Sequence, residues 1–107
     1  MTALWSPHAR ELLSGILRTI AHKLYPEDAL RWQTNIDNCV MQLEDYPRSG
    51  DGVPLECFDT ISPNADDLRQ TFCRPYRIVY EVVGNEVHVL SIRHSRMLVT
   101  NTDTYWN

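Results

Sequence analysis

Arg69, Arg77, Arg93, His94 and Arg96 all fall within the last 40 or so residues of this chain. A guanidinium is a planar fork of N–H donors that matches a phosphate or a carboxylate. A neutral imidazole, with an ordinary pKa of ~6.5, can give or take a proton near neutrality. Gathered in one place, such groups would bind an anion or move protons on one. Four of them, Arg77, Arg93, His94 and Arg96, lie on or beside a pair of apolar-rich strands, Tyr76-Arg77-Ile78-Val79-Tyr80 and Val87 onward, joined by Gly84-Asn85. Two strands with a two-residue Gly-Asn link predict a hairpin, because glycine takes the positive φ that such a turn demands.

Charge is distributed unevenly around this hairpin. The chain has 107 residues and a formal charge of −4, enough length for one domain with one core. Residues 1–67 carry five Lys/Arg and eleven Asp/Glu, whereas residues 68–98 carry five Arg against Glu81 and Glu86. A basic sheet region beside an acidic helical one suits an acidic or anionic partner. The alternative is local composition in a small protein. Cys39, Cys57 and Cys73 are odd in number and lack metal-binding spacing, so free thiols are expected, with no disulfide, metal or cofactor. No leader pattern and no run of about 18 apolar residues occurs, so a soluble cytoplasmic protein is expected.

The elements that must position these residues are legible from their periodicity. Residues 3–5 allow a short first strand. Ser6-Pro7 then predicts a helix start, with Ser6 as N-cap and Pro7 in the first turn. Ala9, Leu12, Leu13, Ile16, Leu17, Ile20, Ala21 and Leu24 form a helical stripe, so one face should be buried. Pro26 ends this helix, and Glu27-Asp28 open a second, whose stripe is Ala29, Trp32, Ile36, Val40 and Leu43. Pro47 and a Gly-rich turn close it, giving an antiparallel helix hairpin. Residues 53–67 read as a loop with at most one short edge strand. Strands are expected at about 68–73, 76–83 and 86–94. The fold class is therefore α+β: a short strand, a helix hairpin, and a twisted antiparallel sheet. Residues 1–98 form the domain, and 99–107 a C-terminal tail expected to be poorly ordered.

The hairpin register sorts the side chains. Counting from Gly84-Asn85 places Val82 opposite Val87, Tyr80 opposite Val89, Ile78 opposite Ser91 and Tyr76 opposite Arg93. That face is the more apolar and should meet the helices. The other face carries Arg77, Val79, Glu81, His88, Leu90, Ile92 and His94. A three-residue turn Cys73-Arg74-Pro75 would put Arg69 on this second face and Leu68 and Phe72 in the core. A one-residue slip there would reverse Arg69. Arg77 could equally pair with its neighbour Glu81, and His88 pairs across the strands with Glu81 and is left out of the site. Trp5, Trp32, Tyr76 and Tyr80 read as core aromatics.

Trp5-Ser6-Pro7 with Leu12-Leu13, Leu43 with Pro47 and Gly50, Leu68-Arg69, Tyr76-Arg77-Ile78-Val79-Tyr80 and Ile92-Arg93-His94-Ser95-Arg96 occur here in a telling order. In that order they resemble the ParE/RelE superfamily of bacterial toxins from type II toxin–antitoxin, or plasmid-stabilisation, systems, and its ParE branch more closely. The resemblance implies two antiparallel helices on an antiparallel sheet, and a cognate antitoxin encoded beside the toxin. It offers two targets: DNA gyrase, bound without catalysis, or the ribosome, on which RelE-type members cut mRNA. Such cleavage needs proton donors and acceptors and cations on the phosphate. His94, Arg77, Arg96 and Tyr105 are the candidates for it, Tyr105 as stand-in for the family's catalytic tyrosine. The lysines of that site are absent, since the chain's one lysine, Lys23, lies on the first helix. A net negative chain also suits ribosome-bound RNA poorly. The reading therefore leans to a gyrase-binding inhibitor that is not an enzyme, with metal-independent mRNA cleavage as the alternative. Its target-binding residues would be Arg69, Arg77, Arg93, His94 and Arg96, and the resemblance assigns no antitoxin-binding residues.

Overall fold

The computed structural model describes residues 1–59 and 67–107. Strand β1 (Thr2–Trp5) leads into helices α1 (Pro7–Lys23) and α2 (Pro26–Asp45). Strands β2 (Asp51–Gly52), β3 (Arg69–Cys73), β4 (Tyr76–Val83) and β5 (Glu86–His94) follow. The strands form one sheet in the order β1-β5-β4-β3-β2. The expected α+β class holds, with one refinement: β1 runs parallel to β5, so the sheet is mixed.

Ser6 does two jobs where β1 meets α1. Its Oγ accepts the Ala9 N–H at 3.0 Å, the N-cap that its place in the sequence predicts. The same hydroxyl donates to the Leu90 carbonyl at 3.3 Å. Pro26 does not merely end α1. It occupies the first turn of α2, whose cap is Tyr25, with the Tyr25 N–H donating to Asp28 Oδ2 at 3.2 Å. Ile36, Val40 and Leu43 of the α2 stripe are fully buried, packed with Ile78, Tyr80, Val87, Val89 and Ile92 of the sheet. Helix α1 is different: Ala9 is its one fully buried residue, and Leu12, Leu13, Ile16 and Ile20 remain partly open.

The β4–β5 register matches expectation near the turn and departs from it further out. Gly84 takes φ +59° in the turn, and Val82 pairs with Val87 and Tyr80 with Val89. Leu90 is then an extra residue on β5, a bulge, so Val79 meets Ser91, Ile78 meets Ile92 and Arg77 meets Arg93. The expected pairs Ile78–Ser91 and Tyr76–Arg93 are thus corrected by one residue. Ile92 and His94 move to the helix face, and Arg93 moves to the far face beside Arg77. The Leu90 carbonyl freed by the bulge is the one that Ser6 satisfies.

The β3–β4 turn is two residues, Arg74-Pro75, with Cys73 opposite Tyr76 and Arg69 opposite Tyr80. The three-residue turn is therefore replaced by its one-residue slip. Arg69 lies on the helix face, and Phe72 turns outward instead of joining the core. Leu68 is buried as expected, but within a second core, away from the helices.

That second core covers the sheet face opposite the helices. Val53 and Phe58 from the loop and Val99 from beyond β5 close over Leu68, Val79 and Leu90. The Val99 N–H donates to the Cys57 carbonyl at 2.7 Å, and Asp59 N–H to the Val99 carbonyl at 2.9 Å. The loop expected at 53–67 contains a 3-10 turn at Leu55–Cys57, and its part from 60 to 66 lies outside the described residues. The tail is not loose. Residues Asn101–Asp103 form another 3-10 turn, Asp103 is fully buried, and the Asn107 carbonyl accepts the His8 N–H at 2.7 Å.

Candidate functional site

The fold sets Arg77 opposite Arg93 on the far face, with His94 and Arg96 at the end of β5, and places Arg69 apart on the helix face. Arg69 Nη1 donates to the Gly50 carbonyl at 2.8 Å and to that of Arg48 at 3.4 Å, holding the turn after α2 against β3. Arg77 is 7% exposed. Its guanidinium donates to the Ser95 carbonyl at 3.0 Å and the Met97 carbonyl at 3.4 Å, with its Nε buried and unpartnered among the described residues. No ion pair joins it to Glu81 among the described residues.

Arg93 is bound to a residue that sequence reasoning missed. Its Nε donates to Asp103 Oδ2 at 2.7 Å, and His8 Nε2 lies 2.8 Å from Asp103 Oδ1. The Thr100 N–H at 2.9 Å and hydroxyl at 3.1 Å also donate to Oδ2. Burial alone would push the Asp103 carboxyl up. The hydrogen bonds from Arg93, Thr100 and His8 outweigh it and hold the group below the ordinary carboxylate range. The Thr100-x-x-Asp103 spacing of a capping box was the available signal for this turn. His8, 95 residues away, left no signal at all.

His94 and Arg96 remain accessible. His94 Nδ1 accepts the Arg96 N–H at 3.2 Å, and its ring stands edge-on to Tyr76 at 6.3 Å. Tyr76 in turn meets Trp32 at 5.6 Å. The Arg96 side chain is exposed and unpartnered among the described residues. Tyr105 is exposed on the tail, near Trp106, whose ring packs 4.9 Å from His88. His88 contacts Trp106 and stands opposite Glu81 across the strands, as expected, while its ring nitrogen lies 3.1 Å from Glu86.

Two open features adjoin this end of the sheet. The first is an apolar groove of about 440 Å³ along α1, where Leu12, Gly15, Ile16 and Ile20 face Tyr76, Ile92 and His94. The second is the exposed turn after β5. Among the described residues no three His, Cys, Asp or Glu side chains gather where they could hold a metal ion. No helix among them is long and apolar enough to cross a membrane.

Chemically, the arrangement is a surface more than a reaction centre. Arg69 binds the Gly50 and Arg48 carbonyls, Arg77 the Ser95 and Met97 carbonyls and Arg93 the Asp103 carboxylate, and Arg96 and His94 stand at the margin of an apolar groove. No curated protein matches the chain. A solved structure described as the chromosomal ParDE toxin–antitoxin system from P. aeruginosa has the same fold, with a TM-score of 0.68 and 23% identity over 88% of this chain and 95% of that one. The family model for the ParE toxin of the type II toxin–antitoxin system parDE matches residues 3–99. The chain belongs to the ParE toxin family of type II toxin–antitoxin systems.

Proposed function

We propose that this ParE-family chain is a cytoplasmic, bacterial toxin that inhibits DNA gyrase by binding it, and that a cognate antitoxin encoded beside it neutralises it. The observation that carries binding over cleavage is the placement of the arginines. Cutting RNA through 2′-OH attack needs cations converging on one phosphate. Arg69, Arg77 and Arg93 each hold different acceptors inside the protein. Adding purified toxin to gyrase with supercoiled plasmid tests the reading: lost supercoiling or trapped cleaved DNA is expected. Full supercoiling with intact plasmid at micromolar toxin would sink it.

The antitoxin's seat in this reading is the α1 groove. A helical stripe of apolar residues is stable when covered, yet Leu12, Ile16 and Ile20 stay partly open, and Gly15 leaves the groove floor without a side chain. An amphipathic segment laid there would complete the burial. The competing reading, a RelE-type endoribonuclease, draws on one observation: at the end of β5 an accessible imidazole, His94, accepts the backbone N–H of Arg96, whose own side chain is exposed. Primer extension on ribosome-bound message decides it, and uncut message removes it.

A further inference from the structure

The corner of the sheet at the β3–β4 turn and the end of β5 joins free cations to exposed apolar side chains. Phe72, Met97 and Leu98 are 38%, 50% and 48% exposed. The Arg74 guanidinium lies 5.0 Å from the Phe72 ring centroid, and that of Arg77 lies 5.9 Å from it. Neither Arg74 nor Arg96 has an ion-pair partner among the described residues.

This corner is held rigid from beneath. Buried Arg77 grips the Ser95 and Met97 carbonyls. The Ser95 N–H donates to the Pro75 carbonyl at 2.8 Å, and the Met97 N–H to the His94 carbonyl at 2.9 Å. Arg77 is therefore a positioning residue, and the turn it fixes presents Arg96, Met97 and Leu98 outward. A surface already ordered loses little entropy on binding.

We infer that the corner formed by Phe72, Arg74, Arg96, Met97 and Leu98 docks an acidic protein segment that also carries an apolar side chain, on the toxin's target. The Arg74 guanidinium, set over the Phe72 ring, and the exposed Arg96 guanidinium supply donors for carboxylates. Phosphate alone would leave Met97 and Leu98 uncovered, and a chain of net −4 does not draw nucleic acid from a distance. The inference rests on the chain's being a toxin that works by binding a protein.

The test compares wild type with Arg74→Glu/Arg96→Glu and with Phe72→Ser, using gyrase binding and growth arrest on induction, with thermal melts and antitoxin binding as controls. Each variant should melt near wild type and bind antitoxin normally, while target binding and growth arrest weaken by about tenfold or more. If wild type ignores gyrase yet the charge reversal still relieves growth arrest, the gyrase reading fails and the corner stands. Variants as toxic and as tightly bound as wild type overturn the corner. So does wild-type binding to a bare single-stranded DNA that the charge reversal abolishes, because the ligand is then nucleic acid.

Discussion

At the scale of single residues, the buried carboxylate of Asp103 carries the clearest energetic consequence. Its pKa is held below the ordinary range, so its ionised form stabilises the fold fully above that range. The contribution fades as pH falls through about 4 toward the folded value. Asp103→Asn removes the charge that Arg93 and His8 share and should cost about 2–3 kcal/mol at neutral pH. Urea unfolding from neutrality down to acid should show the variant's stability falling less steeply than that of wild type. Parallel curves would refute the assignment. The Cys73 thiol gives a second reading at this scale. Burial, with a hydrogen bond and charge contribution from Cys39, pushes it up to about 12. Alkylation needs the thiolate, so peptide mass spectrometry at about pH 8 should find Cys73 unmodified until denaturant is added.

Among the elements, the β5 bulge and the helix cap share one hydroxyl. Ser6→Ala removes the α1 cap and leaves the Leu90 carbonyl buried without a partner, at a cost of about 1–2 kcal/mol in chemical denaturation. A loss below a few tenths would mean that water replaces both bonds. This bulge also marks where sequence reading ran out. The helices were legible because their stripes repeat with one period, and the Gly84-Asn85 turn because its chemistry is local. Beyond Val89, strict alternation misplaced Ile92, Arg93 and His94, since Leu90-Ser91-Ile92 fits either face until Ser6 fixes it from the other end of the chain. Arg77 was read as a possible ligand contact for a related reason. Residue type does not distinguish a guanidinium that grips carbonyls from one that meets a partner. Asp103 was missed because its partners, Arg93 and His8, are set by tertiary folding.

For the whole molecule, one sheet has two unlike covers. Helices close one face, and the loop with the tail closes the other. The incompletely covered α1 stripe is an open apolar surface on the helical side. Gly15→Trp should fill the groove without a clash inside the protein, since a Cβ at Gly15 meets nothing within 4 Å. Its melting temperature should match wild type, while antitoxin binding falls by about tenfold or more in calorimetry. Unchanged affinity would place the antitoxin elsewhere.

Strand β1 has consequences in time as well as in space. Thr2 through Trp5 are synthesised first, yet their sheet partners are Glu86 through Val89. Contacts so distant along the chain form late. While a ribosome is still extending the chain, β1 has no neighbour, the Ser6 hydroxyl lacks the Leu90 carbonyl, and the corner at Arg96 does not exist. The proposed docking corner therefore forms only after β5 has been made and the sheet has closed on β1.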